Sequence, residues 1–201
     1  MKHIFQKGTE NRTLLLLHGT GGNEQDLIPI AKMLDQQANV LSVRGNILEN
    51  GMPRFFKRLQ EGVFDEDDLV FRTHELNQFI DEASQLYEFD RNEVIAFGYS
   101  NGANIAGSLL FHIGRSLKGA ILSHPMVPRR GIQLPLQKEV HVFIGASVND
   151  PLSSVDETME LGKRLSDAFV NVEYYWGQSG HQLTKEELFK AIEWYNKTFK
   201  S

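Results

Sequence analysis

Short apolar runs alternate with longer amphipathic segments along most of the chain. Short runs of this kind are typical of buried strands, and the segments between them carry apolar residues at helical spacing. Such alternation predicts a mostly parallel sheet with helices on both faces. The strand-like runs span residues 13–17, 39–43, 93–97, 119–122, 140–144 and 172–176, and the helical segments lie near 26–34, 67–87, 103–113, 155–168 and 184–199.

Length and charge favour one folded unit that binds a small molecule. The chain has 201 residues, 41% of them hydrophobic, and a domain commonly holds about 100–200 residues. We therefore expect a single domain over residues 1–201. The formal net charge of -5 argues against nucleic acid or an anionic membrane surface as the main partner, because both favour a basic patch.

The absence of cysteine and of a long apolar stretch in residues 1–7 limits the kinds of site and the cellular location that we expect. The chain has no cysteine, which excludes a disulfide framework, a thiol nucleophile and a cysteine-based metal site. Residues 1–7 contain no apolar stretch long enough for a signal peptide or a membrane span. We expect a cytoplasmic protein without stable membrane association.

A Gly-x-Ser-x-Gly pentapeptide, residues 98–102, lies directly between a strand-like run and a helical segment. This pattern is typical of a nucleophile elbow, a sharp turn in which side chains two positions from the serine would collide with neighbouring backbone. A serine that merely caps a helix is the alternative. Because strand, turn and helix follow in the required order, we predict that Ser100 is a catalytic nucleophile.

A glycine-rich loop, residues 18–23, follows the apolar run 13–17. Its glycines let backbone N–H groups turn towards a developing negative charge. We predict an oxyanion hole formed by the backbone N–H groups of Thr20 and Asn101, and we interpret His18 as a scaffold residue. Nucleotide binding is disfavoured, because the loop lacks the Lys-Ser/Thr ending of a P-loop and the third glycine of a dinucleotide fingerprint.

Four histidines follow the predicted nucleophile, and in hydrolases with such an elbow the catalytic histidine comes after the serine and the acid. His181 is the preferred base, because its polar, glycine-rich loop follows the last strand-like run and can reach over the end of the sheet. His112 falls inside a helical segment and His141 opens a strand-like run, so both are interpreted as structural. His124 is the rival base and a candidate pocket residue.

Asp150 lies in the loop after the strand-like run 140–144, where a carboxylate can orient the imidazole of His181. Its role would be to hold the correct tautomer and to stabilise the imidazolium without taking the proton. Asp156 is the rival acid, but its surroundings read as a helix start, where acidic residues favour the dipole and cap free N–H groups. We therefore predict a triad of Ser100, Asp150 and His181.

These motifs carry a resemblance that covers nearly the whole chain. The sequence resembles the phospholipase/carboxylesterase family of α/β-hydrolases, which includes small bacterial esterases. It is particularly similar to a Gram-positive branch of hydrolases linked to resistance to quinones and hydroquinones, through residues 44–46 and 50–56. The family motifs are matched by residues 17–22, 98–102, 150–151 and 180–181, in the family's order.

The resemblance implies an α/β-hydrolase fold in a single domain without a large cap. One departure lies at Thr20-Gly21-Gly22, where acyl-protein and lysophospholipid members have an apolar residue and one glycine followed by an acidic residue. This departure weighs against long-chain lipid substrates.

The least regular segment, residues 44–66, follows a strand-like run on the side where ligands bind in such folds. We interpret it as one wall of the substrate site and the loop 124–137 as the opposite wall. A structural loop that packs its own phenylalanines is the alternative. The arginines would favour an acidic substrate, unless they are simply solvated. The candidate substrate-binding residues are Arg54, Phe55, Phe56, Phe64, His124 and Met126.

The sequence thus predicts a serine hydrolase that cleaves small or aryl carboxylic esters through an acyl-enzyme, without metal or organic cofactor. A thioesterase or a dienelactone-type hydrolase would use the same groups. A protein that binds a small aromatic compound without turnover is the alternative of another class, since a fold does not fix a function. A monomer and a homodimer are both compatible with the sequence.

Overall fold

The computed structural model describes residues 1–200, which form eleven strands, five α-helices and one short 3-10 helix (Arg91–Glu93). The strands are β1 (His3–Gln6), β2 (Thr13–Leu17), β3 (Asn39–Val43), β4 (Ile47–Glu49), β5 (Met52–Arg54), β6 (Arg58–Gln60), β7 (Val63–Phe64), β8 (Val94–Tyr99), β9 (Gly119–Ser123), β10 (His141–Ser147) and β11 (Asn171–Gly177). The helices are α1 (Ile28–Leu34), α2 (Glu66–Tyr87), α3 (Asn101–His112), α4 (Val155–Asp167) and α5 (Lys185–Phe199).

Seven of these strands form one sheet in the order β1-β3-β2-β8-β9-β10-β11. Only β1 runs antiparallel to its neighbour, and every other pair in this sheet is parallel. Parallel neighbours need crossover connections, which the helices between the strands supply. The predicted mostly parallel α/β architecture is therefore confirmed.

The sheet separates two hydrophobic cores. Because side chains alternate across a strand, Leu15 and Leu17 of β2 face one core while Leu14 and Leu16 face the other. Helices α2, α3 and α4 cover the first core, and α1 and α5 cover the second. A strand buried on both faces explains why β2 reads as a continuous apolar run rather than an alternating one. Among residues 1–200, no helix has the length and apolar character to span a membrane.

The structure departs from the sequence-based expectation mainly at β1 and in the segment 44–66. The edge strand β1 was not predicted, because its four residues, two polar and two apolar, show no clear alternation of polar and apolar side chains. In the structure they pair regularly with β3. The irregular segment contains two short hairpins, β4–β5 and β6–β7. The five predicted helices are present, and none of their ends is shifted by more than two residues.

Parallel strands bring their carboxyl ends to one edge of the sheet, and the predicted site residues follow these ends. Thr20 comes after β2, Ser100 after β8, His124 after β9, Asp150 after β10, and His181 after β11. Residues that are far apart in the sequence are therefore collected at one edge. This is where ligands bind in open parallel sheets.

Candidate active site

Ser100 occupies a strained backbone position at the turn from β8 to α3. Its φ of 52° and ψ of -112° lie outside the regions that residues other than glycine normally adopt. Such a position typically costs on the order of 1–3 kcal/mol and persists only where the surrounding structure enforces it. The flanking glycines allow the required approach, because a Cβ at Gly102 would overlap the carbonyl of Leu17 and a Cβ at Gly98 would meet the backbone of Gly102.

Hydrogen bonds link the three predicted triad residues in the order Ser100, His181, Asp150. The Oγ of Ser100 lies 2.7 Å from Nε2 of His181. On the other side of the ring, Nδ1 of His181 lies 2.8 Å from Oδ2 of Asp150. In this arrangement Nδ1 donates to the carboxylate, which leaves Nε2 free to accept the hydroxyl proton of Ser100.

Asp150 is held as a carboxylate by donors on both of its oxygens. Its Oδ1 accepts hydrogen bonds from the backbone N–H groups of Leu152 and Ser153, at 2.8 and 3.1 Å. Its Oδ2 accepts from His181 and also from Nδ1 of His124, the latter at 2.9 Å. Burial raises the pKa of Asp150, but these hydrogen bonds outweigh that effect and hold the pKa below its usual value.

The loop that carries His181 is fixed by two contacts that the sequence analysis did not identify. The hydroxyl of Tyr99, inside the elbow itself, donates to the backbone carbonyl of His181 at 2.7 Å. The N–H of Gly180 donates to Oδ1 of Asn149 at 3.0 Å, with Gly180 at a φ of 63°. In the sequence, the sign of the first contact was Tyr99, a tyrosine at the variable position before Ser100.

The predicted oxyanion donors lie on either side of Ser100. Asn101 is the first residue of α3, so its N–H belongs to the helix-terminal groups without an intrahelical partner. In the described chain, neither this N–H nor that of Thr20 donates to a protein acceptor. The side chain of Asn101 ties the segment 44–66 to the elbow, because its Oδ1 accepts from the N–H of Phe55 at 2.7 Å.

A cleft of about 300 Å³ opens over Ser100. Four of the six candidate substrate-binding residues line it, and two do not: Phe55 and Phe56 are 1% and 0% exposed and belong to the core. The expectation that these two rings form a substrate wall is therefore corrected. The residues that line the cleft include Arg54, Phe64, His124, Met126, Tyr99 and Arg58.

His124 lies at the base of the cleft but makes its polar contacts away from it. Besides Asp150, it contacts the carboxylate of Glu187, whose Oε2 is 3.1 Å from Nε2. The other oxygen of Glu187 accepts from the hydroxyl of Ser123 at 2.6 Å. Glu187 was missed in the sequence because a capping box at the start of α5 accounted for it; Thr184 does cap the helix by accepting from the N–H of Glu187.

The imidazole of His18 braces the loop after β2. Its Nδ1 donates to the carbonyl of Gly19 at 2.7 Å, while Nε2 accepts from the N–H of Gly45 at 3.1 Å. Burial lowers the pKa of His18, in agreement with the neutral form that these contacts require. The contacts support the interpretation of His18 as a scaffold residue.

His124, Asp150 and His181 are the described residues that could hold a metal ion, with ligand atoms within 4.8 Å of one another. The chemistry of these donors does not fit a metal site. Both Nδ1 atoms point at the same carboxylate oxygen, so each carries a proton in a hydrogen bond rather than a lone pair for a cation.

Comparison with known proteins finds relatives that are similar to this chain over nearly its whole length. The chain is 60% identical over 195 residues to the Bacillus subtilis (strain 168) protein named "Putative hydrolase MhqD". The aligned region covers 97% of this chain and 98% of that protein. No protein-family model matches the chain.

Two solved structures agree with this similarity. The crystal structure of the Bacillus cereus carboxylesterase is 61% identical, with a TM-score of 0.98 over 99% of this chain and 95% of that one. The structure of YahD with malic acid is 32% identical, with a TM-score of 0.92 over 98% of each chain. The chain belongs to the carboxylesterases of the α/β-hydrolase fold.

Proposed function

We propose that this chain, as a single α/β-hydrolase domain, cleaves small carboxylic esters with Ser100 as nucleophile, His181 as general base and Asp150 as the acid that orients it. The observation that carries the proposal is the 2.7 Å contact between Ser100 Oγ and His181 Nε2 at a strained elbow. A nucleophile and base within hydrogen-bond reach, with the base oriented by a third group, is the signature of an activated serine.

In the first half-reaction, His181 takes the proton of Ser100 as Oγ attacks the ester carbonyl. The backbone N–H groups of Thr20 and Asn101 receive the negative charge that develops on the carbonyl oxygen. A donor of this kind is typically worth about 2.7–4 kcal/mol in the transition state. His181 then gives its proton to the leaving alcohol, and an acyl group remains on Ser100.

In the second half-reaction, the same groups act on water. His181 accepts a proton from a water molecule that attacks the acyl-enzyme, and the two N–H groups again hold the oxyanion. The proton then returns to Ser100 as the acid product leaves. Asp150 stabilises the imidazolium in both halves without taking its proton.

The size of the cleft favours small substrates. Its volume of about 300 Å³ lies at the lower end of the roughly 300–1,000 Å³ of ligand pockets. Phe64 and Met126 offer apolar contact, which suits a short acyl or aryl group. The similarity to a structure described with malic acid, a small molecule, supports the same size class.

Thioesters and lactones remain candidates, because the same groups would attack either carbonyl. Comparison of kcat/KM on an aryl ester, an acyl thioester and a lactone ranks the three. We expect the aryl ester to be hydrolysed, in line with the carboxylesterase relatives.

Labelling by a small fluorophosphonate tests the proposal without knowledge of the natural substrate. We expect intact mass to show one adduct on the wild-type protein and none on S100A, because only an activated serine reacts. Labelling at equal rates in both proteins would contradict the assignment of Ser100. Absence of any adduct, together with saturable binding of small aromatic compounds, would favour the non-catalytic binding protein.

A further inference from the structure

Arg54 is a buried cation whose hydrogen-bonding capacity is only partly used. Its side chain is 4% exposed. Nε donates to the carbonyl of Phe56 at 3.2 Å, and Nη1 donates to the hydroxyl of Thr20 at 2.6 Å. Within residues 1–200, Nη2 has no acceptor, yet it is not sealed from solvent, and Arg54 lines the cleft over Ser100. The unused N–H groups of Nη2 therefore belong to a residue that lines the cleft.

Among the residues described, the charge of Arg54 is balanced only by a carboxylate that it shares with Arg58. The nearest carboxylate is that of Glu49, whose Oε2 lies 3.8 Å from Nε, beyond hydrogen-bond distance. Glu49 is instead bound at 2.9 and 3.1 Å by Nε of Arg58. Burial and the neighbouring charge of Arg58 lower the pKa of Arg54. A buried charge without a close partner is costly, and such groups cluster at functional sites.

We propose that Nη2 of Arg54 forms a subsite for a carboxylate, and that the preferred substrates are monoesters of short dicarboxylic acids. The proposal rests on the ester hydrolysis proposed above. Arg54 is bonded to the side chain of Thr20, whose N–H is the predicted oxyanion donor, so an acyl chain of a few carbons spans the two points. The guanidinium fork matches a carboxylate in shape and charge.

A matched pair of esters tests the subsite. Monoaryl succinate carries a free carboxylate, and its methyl ester has the same chain and leaving group without the charge. We expect wild-type kcat/KM to favour the acid by at least about 10-fold, since a charge-assisted hydrogen bond is worth that much or more. In R54Q the acid should lose about 10–100-fold, mostly through KM, and it should lose more than the neutral ester, so that the preference for the acid disappears.

The matched control is R58Q, which removes the other arginine of the cleft, already paired with Glu49 and partly exposed. It should keep most of the preference for the acid. Equal losses on both esters in R54Q would overturn the subsite and make Arg54 a support of the Thr20 loop. Equal turnover of both esters by the wild type would also overturn it, while leaving the proposed hydrolysis intact.

A binding measurement separates the subsite from catalysis. We expect calorimetry to detect succinate binding to S100A and not to S100A carrying R54Q in addition. Failure of succinate to bind S100A would overturn the subsite, whatever the turnover. Binding without any ester hydrolysis by the wild type would instead overturn the proposed function.

A second observation, independent of Arg54, concerns the protonation of His124. Both ring nitrogens face acceptors: Nδ1 lies 2.9 Å from Oδ2 of Asp150, and Nε2 lies 3.0 Å from the carbonyl of Gln182 and 3.1 Å from Oε2 of Glu187. The ring is fully buried. A neutral imidazole has only one N–H donor, so this environment requires both nitrogens to be protonated.

We infer that His124 is a doubly protonated positioning residue that links Glu187 to Asp150 and so fixes the carboxylate that orients His181. The ring centroids of His124 and His181 are 5.2 Å apart, and both rings donate to the same oxygen of Asp150. His124 therefore acts on His181 through the position of the carboxylate that they share.

The other groups around His124 agree with its charge. The phenol ring of Tyr99 lies edge-on to the imidazole of His124, with the ring centroids 6.2 Å apart. Burial raises the pKa of this phenol and so keeps it neutral. Burial by itself lowers the pKa of His124, but the carboxylates of Glu187 and Asp150 outweigh it and raise the pKa above the usual value. One cation thus lies between two anions.

Nitrogen-15 spectra of histidine-labelled protein test the charge directly. We expect the His124 signals, assigned by their loss in H124N, to show two protonated nitrogens at pH 7–8. Asparagine suits this position because it tolerates the φ of 54°. In a folded H124N, kcat on an aryl ester should fall by about 10-fold with little change in KM, because the carboxylate of Asp150 loses a charged hydrogen-bond donor.

H112Q is the control, since His112 lies on α3 and contacts Ser108 rather than the triad. It should leave kcat close to the wild-type value. A single protonated nitrogen on wild-type His124 at pH 7 would overturn the inference, and this readout holds even if H124N does not fold. An unchanged kcat in a folded H124N would overturn the positioning role.

Discussion

Ser100→Ala is expected to lower kcat/KM on an aryl ester by about 10⁴–10⁶-fold, since removal of the nucleophile leaves only binding and the oxyanion donors to act. Alanine retains the backbone geometry, because both residues meet the same restriction at positive φ. The free energy of unfolding in urea should therefore stay close to that of the wild type. Loss of activity without loss of stability is the diagnostic combination.

Ser179→Ala is the matched control for this substitution. Ser179 lies two residues before His181, and its hydroxyl makes only long contacts of 3.4 Å to Ser147 and Gln182. This variant should keep turnover within a few-fold of the wild type. Activity of S100A within 10-fold of the wild type would reject Ser100 as the nucleophile.

Asp150→Asn is expected to lower kcat by about 10⁴-fold, because an amide in place of the carboxylate favours the wrong tautomer of the base. Here the effect has a second cause. Both oxygens of Asp150 face only donors, so either orientation of the amide sets its NH₂ group against N–H groups. Steady-state kinetics and the rate of fluorophosphonate labelling should fall together.

The control for this prediction is D156N, a change of the rival acid. Asp156 is exposed in the first turn of α4, where Ser154 rather than Asp156 is the capping residue. Its loss should leave kcat unchanged. An active D150N together with an inactive D156N would reverse the assignment of the acid.

The architecture could be predicted largely because the central strands are buried on both faces. Residues 14–17 and 94–97 are continuously apolar, so the position of these strands was clear without tertiary information. Once the strands were placed, the convergence of their carboxyl ends also predicted which loops would meet. The distances between the site residues could not be predicted, because they depend on the turns of each loop.

The contents of the cleft were harder to predict than its location. A phenylalanine in an irregular segment can face a ligand or the core, and local sequence does not distinguish the two; Phe55 and Phe56 face the core while Phe64 faces the cleft. Glu187 shows the same limit, since its place at the start of α5 fits a helix cap. Only the packing of α5 against β10 and β11 turns its carboxylate towards His124.

The strained backbone at Ser100 also bears on how this chain can change over evolution. The strain is present in every folded molecule, with or without substrate, so the remainder of the fold must supply a stability reserve on the order of 1–3 kcal/mol to retain the turn. A glycine at position 100 would relieve the strain and abolish the nucleophile at once. Selection for robustness alone would therefore erode the active site, and only continued demand for turnover keeps a serine at this turn.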